Sequence, residues 1–378
     1  MKNKLHVLFI NSWYPSRVMP YNGDFIQRHA EAVALTNQVT AVHIITDPNC
    51  KQPYLIDIKD INGVNTIIGY VKQTKNTLIK GYLFFSVYLK ILKQIGSFDL
   101  VHLNVLYPFG ILALHLKWFY KKPYLISEHW TGYLDSQSKK ISILQKLISK
   151  VITKSSSFIC PVSNNLSIAM QKFGLKGNYQ KIPNVVDTDL FVPKKMNNEV
   201  FTLVHISSML DGHKNTSGIL RVILKLQKII PTFKVKLIGS STKNMQLFAE
   251  NSGLDSKFYE FIDQIPQKEV IPHLQQADGL ILFSNYENLP CVILEAFSCG
   301  IPVISTDIGG IKEYFPDEFG YLIEKKNEGE LLDKILLLYK KPIINSKKMH
   351  EYAISNFSKN TIADSFSTLY YQSLKQSS

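Results

Sequence analysis

A chain of 378 residues exceeds what one ordinary hydrophobic core supports, since such cores stop growing near roughly 250–300 residues, so two domains are expected. With 45% hydrophobic residues, 19% charged residues and a net charge of +13, both domains can be well packed. No apolar run approaches the about 20 residues that cross a bilayer, and the N-terminal MKNKLHVLFINSWYP passes from an apolar strand into a polar turn, so neither a transmembrane helix nor a signal peptide is expected.

Short β-branched runs alternate with helix-like stretches along the chain, the pattern of βαβ units with parallel sheets. In the first half, strands are predicted at 5–10, 39–45, 99–105, 123–129 and 157–163. Two helices in this half carry only lysine charges. Residues 78–95 are apolar apart from their lysines and a few uncharged polar residues, and residues 141–154 place Ile141, Leu144, Leu147, Ile148 and Val151 on one face. Each fits a core-facing helix with solvated lysines, and each also fits a basic amphipathic helix lying on an anionic membrane. Residues 1–190 hold 22 Lys and Arg against 10 Asp and Glu, whereas residues 191–378 hold 21 against 20. The excess reads either as ordinary solubility or as a first half that faces an anionic partner, nucleic acid or membrane.

A polar stretch led by Pro193, VPKKMNNE, predicts the domain boundary. Beyond it, strands are predicted at 201–207, 234–239, 257–263, 279–284 and 302–306, giving each half five strands and its own sheet. A final helix near 358–373 is expected to return to the first domain. The domains then run 1–192, with the tail 358–378 packed back on it, and 193–357. Cys50, Cys160, Cys291 and Cys299 show no CxxC spacing, which suggests a reducing, cytoplasmic setting.

In open α/β sheets ligands bind beyond the carboxyl ends of the strands. Polar residues concentrate there: Asn11 and Ser12, His129, Ser207 and Ser208, Gly239 and Ser240, Glu287, and Asp307 with Gly309 and Gly310. Two such sheets facing one another make a polar cleft, the geometry of an enzyme. The most specific stretch is ENLPCVILEAFSCGIPVISTDIGG at 287–310. Pro290 suits a first helical turn, Glu295 lies about a turn and a half inside, and the amides of Leu289, Cys291 and Val292 at a positive helix end make a site for a diphosphate. Alone, the two glutamates read more readily as helix-end capping.

That stretch, with SSMLDGHKN at 207–215, IPNVVDTDLF at 182–191, PYNGDFIQRHAEAV at 20–33 and SEHWTGY at 127–133, resembles the retaining glycosyltransferases of family 4. The resemblance covers most of the chain in the family's order. It implies the GT-B fold, two Rossmann-like domains with mainly parallel sheets facing across a cleft, acceptor on the N-terminal domain and donor on the C-terminal one. It further implies that Glu287 binds hydroxyls of the transferred sugar and Glu295 the nucleotide ribose. Lys214 neutralises the donor diphosphate, Gly23 lets the first loop approach donor and acceptor, and His129 reaches the reacting centre. Ser208, Asn288, Leu289, Pro290 and Cys291 complete the donor site. The family usually has an arginine five residues before the lysine, and this chain has Met209 there. Ser207, Ser208, His213 or Asn215 are left to supply hydrogen bonds in its place.

No metal site and no cofactor are expected beyond the nucleotide sugar, a UDP- or GDP-sugar, as co-substrate. The resemblance implies retention of anomeric configuration and a saccharide or lipid-linked saccharide acceptor in cell-surface polysaccharide synthesis; the cysteines and the basic helices of the first half lead to the expectation of a cytoplasmic location, peripheral on an anionic membrane surface. A glycosyl phosphorylase or nucleotide-sugar epimerase on the same fold is the alternative. Nucleic acid is not expected, because no aromatic and basic RNA-binding signature, zinc-finger spacing or basic zipper helix is present.

Overall fold

The computed structural model describes residues 4–134, 141–194 and 199–376; residues 195–198 of the boundary stretch and 377–378 of the tail lie outside the described residues. The chain forms two compact units, 1–185 with 359–378, and 186–358. The division falls before Pro193 because residues 186–192 are already held by the second unit. Val186 N–H donates to the Phe357 carbonyl, and Ser298 Oγ donates to the Phe191 carbonyl.

In the first unit the order is β1 (His6–Asn11), α1 (Asp24–Ala34), β2 (Gln38–Asp47), β3 (Tyr54–Ile61), β4 (Val64–Lys72), α2 (Thr77–Ile95), β5 (Leu100–Asn104), α3 (Gly110–Tyr120), β6 (Tyr124–Glu128), α4 (Ile143–Ser155), β7 (Phe158–Pro161) and α5 (Asn164–Lys172). The sheet has seven strands in the order β3-β4-β2-β1-β5-β6-β7, parallel except for the antiparallel β3–β4 pair. The five expected strands are present, and β3 and β4 are added to them. They form a hairpin closed by Asn62-Gly63 between Ile61 and Val64, the dipeptide of the two-residue hairpin turn. Asp57, Lys59 and Asp60 dilute the apolar pattern of β3, as suits a strand at a sheet edge.

The second unit runs β8 (Phe201–Ser207), α6 (Asp211–Lys214), α7 (Thr216–Leu226), β9 (Phe233–Gly239), α8 (Thr242–Asn251), β10 (Tyr259–Asp263), α9 (Gln267–Gln275), β11 (Gly279–Leu282), α10 (Cys291–Ser298), β12 (Val303–Thr306), β13 (Gly320–Ile323), α11 (Glu328–Lys340) and α12 (Ser346–Phe357). Its six strands, in the order β10-β9-β8-β11-β12-β13, are all parallel. Five were expected; the sixth, β13, is a four-residue edge strand. Its core joins Leu203, Leu237, Ile281 and Ile304 of the sheet to Ile219 and Ile223 of α7 and Leu331 and Ile335 of α11.

The last helix, α13 (Lys359–Lys375), belongs to the first unit. With α1 it covers one sheet face, where Phe9, Ala41 and Leu125 meet Ile26, Val33, Ile362 and Phe366. The neighbouring residues Leu8, Ile10 and Val42 point the other way and meet Tyr88, Ile91 and Leu112 of α2 and α3. Chain direction explains the sorting. The β1-to-β2 crossover and the crossovers leading to β5, β6 and β7 run in opposite directions, so right-handed connections place α1 on one face and α2, α3 and α4 on the other.

Helix α4 does not bury the face its apolar spacing suggests. Leu144 and Leu147 are 68% and 54% exposed, whereas Ser149, Ile152 and Thr153 are buried. Gly110 of α3 decides this: the Ile152 side chain fills the space beside it, 2.7 Å from where a Cβ would stand. Tyr124 Oη adds a hydrogen bond to the Ile152 carbonyl, and Lys117 Nζ one to the Ser155 carbonyl. Truncating Ile152 to Ala is expected to remove about 2–5 kcal/mol of stability, and Leu147→Ala about 0.5 kcal/mol or less. Tryptophan fluorescence during urea unfolding reads this directly, because Trp13, Trp118 and Trp130 all lie in the first unit. Equal losses would refute the assignment of faces.

Candidate functional site

In the second unit three segments converge at the carboxyl ends of the strands. After β8, Ser207 Oγ donates to His205 Nε2 and accepts from Met209 N–H, while His205 Nδ1–H donates to the Ile281 carbonyl. Burial lowers the His205 pKa to about 4, fixing this neutral tautomer. The chain turns at Met209, whose φ is 51°, and the Met209 side chain enters the hydrophobic core. Asp211 accepts from Ser217 N–H and Oγ, and Asn215, also at positive φ, separates α6 from α7. Lys214 is thereby presented at the end of α6.

The segment after β11 is pinned to that turn. Asn285 N–H donates to the His213 carbonyl at 2.7 Å, and the His213 ring stacks on Tyr286 with centroids 4.2 Å apart. Glu287 then meets Lys214, Nζ to Oε1 at 2.5 Å. His213 Nε2 is 3.7 Å from the same oxygen, an electrostatic neighbour too distant for a hydrogen bond. Burial alone raises the Glu287 pKa, but the opposing charge of Lys214, with His213, outweighs it and holds the carboxyl at about 2. The third segment is the turn after β12. Gly310 N–H donates to the Asn288 carbonyl, and a Cβ on Gly309, at φ 60°, would stand 1.9 Å from the Glu287 carbonyl oxygen. Only glycine allows that approach.

Pro290 caps α10 rather than forming its first turn; the helix starts at Cys291, a free thiol. Asn288 and Leu289, just before it, are buried. Glu295 is also buried and accepts from Gln267 Nε2 at 2.8 Å. Ser208 contributes its carbonyl to Ser240 Oγ. The structure thus brings Lys214, His213, Glu287 and Asn288 together, sets Glu295 deeper on α10, and removes Met209 from the group. Sequence reasoning missed Gln267, Asn285 and Tyr286. Asn285 and Tyr286 directly precede the motif, whereas no spacing links Gln267 to Glu295.

In the first unit Gly23 caps α1 at φ 74°, and a Cβ there would lie 2.7 Å from the Trp13 backbone. Asn11 and Ser12 turn inward: Asn11 Oδ1 accepts from Asn104 Nδ2, and Ser12 Oγ donates to the Val105 carbonyl. His129 follows β6, its ring tilted against Phe25 and His29 with centroids 4.6 and 5.3 Å away. Burial, reinforced by His29, holds it neutral, well below the ordinary histidine value. Beside it stands Glu128, to which its place in SEHWTGY assigned no role. Its buried carboxylate accepts from the backbone N–H groups of Leu106, His129 and Trp130, and burial outweighs those bonds to raise its pKa to about 6.

Burial lowers the pKa of both His29 and His43 to about 4, from an ordinary 6.5. Between those values the unfolded chain binds more protons, so stability falls as pH falls, by about 1.4 kcal/mol per unit for each histidine. Burial lowers His102, His129 and His205 in the same direction, while Glu128 acts oppositely between about 6 and 4.5. The urea midpoint followed by tryptophan fluorescence should therefore drop from pH 7.5 to pH 5; an unchanged midpoint would mean that the folded protein protonates these rings.

Two family models cover the chain: "Glycosyltransferase Family 4" over residues 29–190 and "Glycosyl transferases group 1" over residues 187–356. An uncharacterized glycosyltransferase of Methanocaldococcus jannaschii is 25% identical over 334 residues, 86% of this chain and 87% of that protein. A phosphatidylinositol N-acetylglucosaminyltransferase component of Arabidopsis thaliana is 27% identical over 200 residues, 51% of this chain but only 44% of that protein. Among solved structures, sucrose-phosphate synthase from Thermosynechococcus elongatus superposes with a TM-score of 0.78 at 17% identity, covering 99% of this chain and 100% of that one. Anabaena HepE, solved with UDP-glucose, gives 0.72 at 15% identity, covering 97% and 100%. The structural likeness establishes the fold, and with the two family models it shows that this chain belongs to the group 1, family 4 glycosyltransferases, transferase enzymes of the GT-B fold.

Proposed function

We propose that the protein moves a sugar from a nucleotide sugar, UDP- or GDP-linked, to a saccharide or lipid-linked saccharide acceptor with retention of configuration, in cell-surface polysaccharide synthesis on the cytoplasmic side. The observation that carries this reading is the Lys214–Glu287 pair at 2.5 Å, with Glu287 held ionised and Glu295 buried on the helix that follows. That HepE was solved with UDP-glucose supports the donor class.

In the proposed step the bond between the anomeric carbon and the diphosphate oxygen breaks, the acceptor oxygen bonds on the same face, and the acceptor proton passes to the departing diphosphate. Lys214 takes up charge that grows on the leaving group. Glu287 accepts from hydroxyls of the transferred sugar and faces the positive charge developing at its anomeric centre. Glu295 accepts from the ribose, with Gln267 orienting it. The second unit is the donor side and the first the acceptor side, where Gly23 admits close approach and neutral His129 offers a hydrogen bond. With Met209 in the core, Lys214 is the dominant cation on the diphosphate, assisted by His213.

Removing Lys214 should lower kcat/KM by about tenfold or more, the equivalent of a charge-assisted bond of ~1.5–3 kcal/mol. Retention of more than half the wild-type value would exclude the role. Introducing arginine as Met209→Arg should lower stability without raising kcat/KM, because the side chain at 209 enters the core. The glutamates separate by ligand: Glu295→Gln should weaken a free nucleoside diphosphate by ~1.5–3 kcal/mol in calorimetry and raise KM, while Glu287→Gln leaves that affinity unchanged and lowers kcat. Equal effects would dissolve the distinction. Product analysis tests the reaction itself, since a sugar phosphate or an epimerised donor in place of a glycosylated acceptor would overturn it.

A further inference from the structure

Helices α2, α3 and α4 share one face of the first unit's sheet, and their outward residues are unlike an ordinary protein surface. Tyr82 is 72% exposed and Phe119 74%, and Leu78, Ile111, Trp118, Ile143, Leu144, Leu147 and Val151 are exposed with them. The helices form one surface: the His115 ring of α3 touches Phe85 and Tyr88 of α2 and Phe119 of its own helix, while Ile152 of α4 packs on Gly110 of α3. Contiguous exposed apolar surface of this kind marks an interaction site.

Charge identifies the occupant. The three helices and the two residues after α3 carry nine lysines, Lys80, Lys90, Lys93, Lys117, Lys121, Lys122, Lys146, Lys150 and Lys154, and no aspartate or glutamate. A second copy of the same surface would set lysines against lysines. Exposed apolar side chains among cations of one sign, with exposed Tyr82, Trp118 and Tyr120 among them, instead match a bilayer bearing anionic headgroups. A groove of about 640 Å³ opens on this surface between Tyr82, Phe85, Lys90, Lys93, Phe98 and Lys122. Its lysines and rings suit a lipid phosphate with its acyl chains running along the aromatic wall. Gly96 to Phe98 precede β5, so the groove lies toward the amino ends of the strands, away from Gly23 and His129.

We propose that the α2–α3–α4 face docks the protein on a membrane rich in anionic phospholipid, with a headgroup phosphate held by Lys90, Lys93 and Lys122. This goes beyond the transfer reaction and stands or falls independently of it, because binding is measured without donor or acceptor.

The protein is sedimented with vesicles of phosphatidylcholine alone and of phosphatidylcholine with phosphatidylglycerol, at low and high salt. Binding should need the anionic lipid and weaken with salt. Lys93→Glu with Lys154→Glu should reduce it by about tenfold or more, and Leu144→Gln with Leu147→Gln should reduce it at unchanged charge. Lys228→Glu with Lys347→Glu, the same charge change in the second unit, should leave it nearly intact. Equal binding to both vesicles, or equal loss in the second-unit control, would overturn the proposal. A dimer abolished by the Leu144 and Leu147 substitutions would assign the face to a second copy. Duplex DNA binding lost with Lys93 and Lys154, in a protein that ignores vesicles, would assign it to nucleic acid.

Discussion

The second unit is organised around an ion pair taken out of water. Burying a carboxylate costs several kcal/mol unless a cation and fixed donors offset it. Here Lys214 outweighs burial and the carboxyl of Glu287 stays ionised. Other features serve to keep those two groups in register: the αL turn at Met209, the Asn285 bond to the α6 turn, and the Gly309-Gly310 backbone pressed against Glu287 and Asn288. The parallel strands deliver all three segments to the same edge of one sheet. An arrangement set by backbone contacts is preorganised, which is what electrostatic catalysis requires.

Glu128 in the first unit shows the same physics with one part removed. Both carboxylates are buried, yet Glu287 falls to about 2 and Glu128 rises to about 6. Among the described residues, three backbone N–H donors hold Glu128 without a cation, and burial wins. A neighbouring ammonium accounts for the difference. The first unit therefore sets beside neutral His129 a carboxylate held only by backbone donors, while the second sets opposite charges against one another.

Regular parallel strands were legible because each is a short β-branched run between polar ends; all ten expected strands exist. The β3–β4 hairpin escaped because acidic and basic residues interrupt β3, although Asn62-Gly63 announced the turn. The short edge strand β13 offers only four residues. In the site, Glu287, Glu295 and Lys214 were readable from motif spacing. The partners that hold them were not, since Gln267 meets Glu295 across 28 positions and Asn285 meets the α6 turn only through folded backbone. Of the two readings open for α4, the core-facing one fails for a related reason: periodicity names an apolar face, but the glycine on the neighbouring helix selected Ile152 over Leu147.

Helix α13 completes the core of the first unit, yet residues 186–358 intervene before it is made. At roughly 5–20 residues per second, translation of that intervening segment takes about 10–35 s. Throughout that interval Phe9, Ala30 and Val33 lack the cover that Phe366 and Tyr370 supply, and the His102 imidazole lacks its Tyr370 hydroxyl partner. The second unit, continuous in sequence, has no such debt. The amino-terminal half therefore emerges with part of its core uncovered until α13 is made, whereas every segment of the second unit precedes that helix in the chain.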